Sequence, residues 1–449
     1  MLPDLDQKST LPSLEDIKDQ IQNFLGWSGL DGFLLILATV LALLLANSPI
    51  APYYFDFWET PVTFEVGGKG FDKPLLLWVN DLLMAVFFLL IGLEIKREII
   101  AGELSSIRKA SLPIVAALGG MFLPVLLFFL FQPAGPGQDA WGVPMATDIA
   151  FSIGLLSIFS KRVPVGLMVF LTTFAIVDDI GAILVISLFY SHEVDWISLV
   201  YAAGWWSILL LMNTVFKLTR IWVYMLVGCG VWYSIFKAGI HPTIAGVLVA
   251  LTIPTFHKGT ESLFLSRWKT FIRKIRNRNS DVNLSRKFHR EKEMEVLAGM
   301  NKGIHKVISP LQLLENQLEN ITSYFILPVF ALANAGISLQ GIDSFPATLT
   351  LSAGGAMLIG KVIGLFGFSW IAVKLGWANL PRGVRWPHLL GTSFLGGIGF
   401  TMAIFIANLA LSDQTLLANT KIGILSGSLI AGILGVFILH RTLPSKEHS

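Results

Sequence analysis

At twelve places between residues 30 and 440 the chain runs through roughly 17–25 almost wholly apolar residues. That is the length a helix needs to cross a hydrocarbon layer of about 30 Å. The runs lie near 30–47, 75–95, 110–131, 141–160, 165–190, 196–215, 220–236, 240–256, 321–336, 350–374, 388–410 and 418–440. A helix closes its own backbone hydrogen bonds, so such runs predict an all-α polytopic membrane protein of about twelve helices. The run at 240–256 is short, and the one at 321–336 carries Pro328 and Asn334. Composition agrees: 54% of residues are hydrophobic and only 14% charged, against about a quarter charged in soluble domains. The single cysteine, Cys229, excludes an intramolecular disulfide framework and a cysteine-based metal site. The acidic, polar N-terminus lacks the basic start of a cleavable signal peptide.

Lysine and arginine alternate between loops and so set the orientation. They gather as Lys96, Arg97, Arg108 and Lys109, then Lys161 and Arg162, then Lys217 and Arg220. Further groups are Arg267 to Arg278, then Lys374, Arg382 and Arg385, and finally Arg441 and Lys446. The intervening loops are poor in both, which places both termini in the cytoplasm. Five regions follow: a cytoplasmic segment 1–27, a first membrane part 28–256, a basic cytoplasmic loop 257–318, a second membrane part 319–441 and a tail 442–449. Residues 12–27 suit a short amphipathic surface helix. The insertion 257–310 suits either anionic headgroups or plain solvation. Strand-like residues around Gly67 and Gly68 suggest a β-hairpin at 60–73 on the outside.

Four intramembrane features carry chemistry. Asp178 and Asp179 stand side by side within 170–189, a stretch with no other charge. A carboxylate at mid-bilayer costs about 2.5–3.5 kcal/mol on insertion scales, so such a pair points to handling of an ion or a proton. Neighbours on a helix diverge by about 100°, so the two carboxylates face different surroundings. The second feature is Pro144, Thr147 and Asp148: a missing backbone donor followed by two local hydrogen bonders. It fits a helix broken inside the membrane, and equally an ordinary helix start with Asp148 as the cap. Lys361 is the third, central in its run and expected to pair with one of these aspartates. The fourth is Gly396, Gly397 and Gly399, which weaken a helix or allow close packing. Breaks near 142–148 and 395–401 would make spans three to five and ten to twelve inverted repeats, with the site where the two discontinuous helices cross.

Several stretches resemble the NhaA-type sodium/proton antiporters: Trp78–Glu98, Ala146–Phe151, Ala175–Ala182, Gly239–His241, Asn334–Gly336, Ile359–Lys361 and Gly397–Met402. The resemblance runs from about residue 28 to 440 in unbroken order. This family is itself a standing example of inverted-repeat construction, so the repeat argument is not independent of it. The resemblance implies that Asp179 is the main cation ligand and proton carrier, with Asp178 its partner and Na+ held at the two. It implies that Lys361 pairs with Asp178 in the ion-free state, and that Thr147 and Asp148 occupy the helix crossing. Glu94, Glu98, His241 and Glu315 fall at positions tied to the cytoplasmic funnel and to pH response. A hydrogen-bonded histidine at a helix end is the plainer reading of His241. Gln312, Asn316 and Glu319 depart from the pattern, standing where familiar members carry Lys or His.

The implied function is secondary transport in a bacterial inner membrane, exporting Na+ and also Li+ in exchange for H+. The implied stoichiometry is two protons per sodium, and the implied role is sodium and pH homeostasis. No enzyme activity, cofactor or nucleic-acid partner is expected; the partners are the lipid bilayer and, through the hairpin, a second copy of the chain. A sodium-coupled transporter of another solute is the alternative. A channel would need no competition between ions. An aspartyl protease would place its two acids on different helices around one shared proton, unlike adjacent Asp178 and Asp179.

Overall fold

In the computed structural model, the residues described are 30–66, 69–132, 134–159, 162–191, 194–255, 309–338 and 347–444. The amphipathic segment 12–27, the Gly67-Gly68 turn and the basic insertion 257–308 lie outside them. The elements in order are α1 (Leu30–Ala46), α2 (Ala51–Glu59), β1 (Pro61–Val66), β2 (Lys69–Pro74) and α3 (Leu75–Ala101). Next come α4 (Ile107–Phe131), a 3₁₀ segment (Gln138–Met145), α5 (Ile149–Ser157), α6 (Val165–Phe189), α7 (Trp196–Thr214), α8 (Ile221–Lys237) and α9 (Thr243–Thr252). The chain ends with α10 (Pro310–Ile321), α11 (Leu327–Asn334), α12 (Thr348–Lys374), α13 (Trp386–Gly396), α14 (Phe400–Ala410) and α15 (Gln414–Thr442).

The predicted helical membrane architecture is present, and β1 and β2 pair as a two-stranded sheet where the hairpin was expected. Among the described residues seven helices are long and apolar enough to cross a membrane, and nine if each bent pair is one span. The bent pairs are α1 with α2, at 113°, and α13 with α14, at 40°. The predicted spans at 220–236 and 240–256 appear as the shorter helices α8 and α9, and the run at 321–336 continues α10 through a π turn into α11. At 10 residues α9 is only about 15 Å long. Pro328 offers no amide hydrogen, and the helix ahead of it widens into a π turn, Thr322–Ile326. Two more π turns, Val79–Leu83 and Ala356–Gly360, lie within α3 and α12.

The contacts divide the chain into two compact units. The first comprises residues 1–61, 111–182 and 327–449; the second comprises 62–110 and 183–326. In the second unit α3 and α9 run parallel at backbone contact. Phe88, Leu89 and Leu93 of α3 are buried, with Ala245, Val249 and Ala250 of α9 and Tyr224 and Val231 of α8. Gly246 permits this approach, because a methyl there would meet the Ala85 carbonyl oxygen and, at 2.7 Å, the Leu89 nitrogen. Small residues at such an interface let dispersion between backbones replace the absent hydrophobic drive within lipid. Lys96 finishes the seam. Its ammonium donates to Leu251 O at 2.8 Å and Ile253 O at 2.5 Å, satisfying carbonyls that the end of α9 leaves open. The expected effect of Gly246→Ala is an overpacking loss of about 1–3 kcal/mol. Thermal unfolding of the detergent-solubilised protein reads it as a lowered Tm.

Candidate functional site

The first unit holds two interrupted segments, and each supplies the partners that the other's break leaves unmet. The 3₁₀ segment ends at Met145, before α5 begins at Ile149 with Asp148 as its N-cap. On the other segment α13 ends at Gly396 and α14 starts at Phe400. Carbonyls at the end of α13 and in the link beyond it accept from the first segment. Thr147 Oγ1 donates to Gly396 O at 2.8 Å, Ser152 Oγ to Leu395 O at 2.7 Å, and the Asp148 amide to Ile398 O at 2.6 Å. The open amides at the start of α14 are met in turn. Thr401 N–H donates to Asp148 Oδ2 at 3.1 Å, joined there by the Thr401 hydroxyl, and Phe400 N–H donates to Ser428 Oγ of α15 at 3.2 Å. Asp148 Oδ1 takes the Phe151 amide at 3.0 Å. One carboxylate therefore caps two helix starts, where partial positive charge favours an anion.

Both sequence readings of Asp148 hold together: it is an N-cap, and it sits at a break. Of the three glycines, Gly399 has a definite steric reason. A Cβ there would lie 2.6 Å from Met357 Sδ and 2.9 Å from Ala403 Cβ. Its φ of −94° is open to any residue, so close approach and not backbone freedom demands glycine. Gly397 is the C-cap of α13, and Gly396 packs against Phe174 and Leu365.

Beside this knot lie the paired charges. The Lys361 ammonium is 2.6 Å from Asp178 Oδ2, and the two side chains are 0% and 1% exposed. Lys361 follows the π turn of α12 and also lies 5.5 Å from the Phe174 ring centre. Asp178 Oδ1 makes no hydrogen bond among the described residues, although it is buried. Asp179 is buried to 2% exposure. Thr147, at the break, lies beside the Asp178 carboxylate. The first unit thus brings together Thr147, Asp148, Asp178, Asp179, Lys361 and the three glycines. Hard oxygen donors of this kind suit a small cation or a proton.

The remaining residues lie in the second unit and form two groups. Arg97 meets Glu315 of α10 at 2.7 Å and Glu98 at 3.3 Å, with Glu94 among them, and Glu98 Oε2 accepts the Glu103 amide at 3.0 Å. His241 is not part of this group. Its Nε2 is 3.9 Å from Asp81 Oδ1, and Asp81 in turn meets Lys73 at 3.2 Å. Asp81 is 13 residues before Glu94 on α3, or about 20 Å along the axis. Glu94, Glu98 and Glu315 thus gather toward one end of α3, and His241 lies toward the other. His241 Nδ1 pairs with the Thr243 hydroxyl at 2.8 Å, at the start of α9, which is the plainer reading made from sequence. The departure at Gln312 has a local purpose: it closes a capping box with Ser309 at the start of α10.

Sequence reasoning passed over Ser152, Thr401, Ser428 and Asp81. Asp81 was findable as an acid within the apolar run 75–95. The three hydroxyls were not, because helices commonly satisfy such groups internally.

Ionisable groups sealed inside spans of this length mark a path for ions or protons, as in membrane transporters. Comparison with known proteins sharpens this. Residues 22–439 match the family model described as Na+/H+ antiporter 1, and the chain belongs to that family. A Na(+)/H(+) antiporter NhaA of Phocaeicola vulgatus is 42% identical over 428 residues, covering 92% of this chain and 94% of that protein. The Na(+)/H(+) antiporter NhaA of Tolumonas auensis is 41% identical over 436 residues, covering 96% and 98%. That of Haemophilus ducreyi is 40% identical over 431 residues, covering 94% and 97%.

Burial pushes the Glu315 carboxyl above the usual carboxylate range; Arg97 opposes this, while Glu319 and Glu98 add to it. The expected result of Arg97→Ala is a further rise, because an opposing positive charge is lost. Carboxyl infrared bands followed against pH in wild type and in the Glu315→Gln background identify and measure the shift.

Proposed function

We propose that this chain exports Na+, and Li+, in exchange for H+, by competition of cation and protons for the Asp178 and Asp179 carboxylates. The observation that carries this reading is the wholly buried Lys361–Asp178 contact beside Asp179. A buried pair of carboxylates with one ammonium is short of positive charge. Either a sodium ion or protons supply it, and each makes the other's binding unfavourable. Exchange is obligatory if the neutralised protein switches sides and the empty, charged one does not. Rocking of one helix group against another provides the switch, in a twelve-span architecture with inverted repeats whose discontinuous helices cross at Asp148.

Two protons enter per sodium on this reading. One net charge then crosses each cycle, worth about 2.3 kcal/mol per 100 mV, so the membrane potential helps to expel sodium. The protein works in a bacterial inner membrane with both termini in the cytoplasm, and β1–β2 is the natural contact for a homodimer. Glu94, Glu98 and Glu315, held by Arg97, form the cytoplasmic funnel and its pH response. His241 with Asp81 acts separately from them.

Asp179→Asn is expected to abolish exchange while leaving the protein folded. Sodium-induced collapse of a pH gradient in inside-out vesicles measures this; near-normal collapse in the variant would remove the site. Such vesicles, given no organic solute, also separate exchange from solute-coupled uptake. Lys361→Ala is expected to shift the pH profile of exchange, because Asp178 loses its counter-charge. An unchanged profile from pH 6 to 9 would remove the ammonium from the mechanism.

A further inference from the structure

The C-terminal end of α15 is tied to both interrupted segments of the first unit, at points far in sequence from the knot. A helix leaves its last four carbonyls open. Here side chains meet two of them, His440 O and Thr442 O, and two more carbonyls just past the helix, Leu443 O and Pro444 O. Arg162, five residues beyond the end of α5, donates from Nε to Pro444 O at 2.6 Å, and from Nη2 to Leu443 O at 2.9 Å and His440 O at 3.1 Å. Arg385, the N-cap residue of α13, donates from Nη2 to Thr442 O at 3.1 Å. His388, one turn into α13 and only 2% exposed, has Nε2 3.1 Å from the same oxygen. Its Nδ1 accepts the Arg385 backbone amide at 3.3 Å, which puts the ring hydrogen on Nε2, facing Thr442 O. Near its middle α15 also touches the break, through Ser428 Oγ and the Phe400 amide.

We infer that Arg162, Arg385 and His388 are positioning residues: they clasp the outer ends of both interrupted segments onto the end of α15, and so hold the knot around Asp148 in register with the cation site. A break bonded only at its centre leaves its half-helices free to pivot there. Fixing each segment at a second point, on one shared helix, removes that freedom. The donors suit the task. A guanidinium spans three carbonyls in a way a lysine ammonium does not. The histidine serves one acceptor and one donor at once, like the glutamine of an ordinary capping box.

This rests on the exchange reading above, and its test has one arm that does not. The variants are His388→Leu, which removes both hydrogen bonds; His388→Gln, which keeps an acceptor and a donor; and Arg162→Lys. Flux in reconstituted vesicles gives KM and kcat for Na+. Protection of the detergent-solubilised protein against thermal unfolding by NaCl, with choline chloride as control, gives sodium affinity without transport. His388→Leu is expected to weaken sodium affinity about two- to thirtyfold, the range for a remote residue that acts through the packing between it and the site. Its kcat should fall far less, and His388→Gln should restore the affinity. If His388→Leu does not fold, Arg162→Lys is expected to show the same split. Unchanged sodium affinity with a lowered Tm, or a His388→Gln that behaves like His388→Leu, would reduce the clasp to a structural staple and overturn the inference. Wild type that sodium protects but that moves no protons would sink the exchange reading and leave the clasp measurable.

Discussion

A backbone amide or carbonyl without a partner costs several kcal/mol in hydrocarbon, and a broken helix exposes several at once. Everything distinctive about the first unit follows from how that demand is met. Neither break satisfies all of its own groups. Thr147 and Ser152 serve carbonyls of α13, Asp148 donates to Ile398 O and serves the Thr401 amide, and Ser428 serves the Phe400 amide. The two interruptions are therefore mutually necessary, and neither could be repaired to a continuous helix without stranding the other. Holding irregular backbone this way leaves polar groups and helix ends beside Asp178, Asp179 and Lys361, in a place where lipid-facing structure would permit none.

Charge in the second unit is handled by a different rule. Asp81 stands beside the start of α9, and Lys96 caps its end. Parallel helices such as α3 and α9 align their dipoles unfavourably, and these two side chains place the compensating sign at each end. Arg97, one residue on and turned by about 100°, addresses Glu315 of α10. Consecutive basic residues that look alike in sequence thus face unlike partners, a helix terminus and a carboxylate.

Membrane helices, the Asp178–Asp179 pair and the lone Lys361 could be read from residues alone, because a charge in an apolar run has few inexpensive explanations; at Asp148 a break and an ordinary helix start read alike. The motifs in Trp78–Glu98 and Gly397–Met402 pointed to the antiporter family, and the comparison establishes membership. What sequence hid were relations between distant segments. Ser428 meets the Phe400 amide across 28 residues, and Thr147 meets Gly396 across 249. Hydroxyls within apolar helices give no outward sign of such duty. His241 is a like case: its place in the chain says nothing about which end of α3 it meets. Nor did the run at 240–256 reveal that its helix, α9, is 10 residues long and capped at its end by Lys96.

The π turn at Ala356–Gly360 adds one residue to α12 just before Lys361. One residue rotates everything beyond it by about 100° relative to an unbroken helix. The bearing of the ammonium toward Asp178 is thus set by an azimuth, fixed one turn upstream by a widened ring of backbone. A chain shortened by a single amino acid in that ring would keep every side chain named at the centre and yet aim the lysine at a different wall.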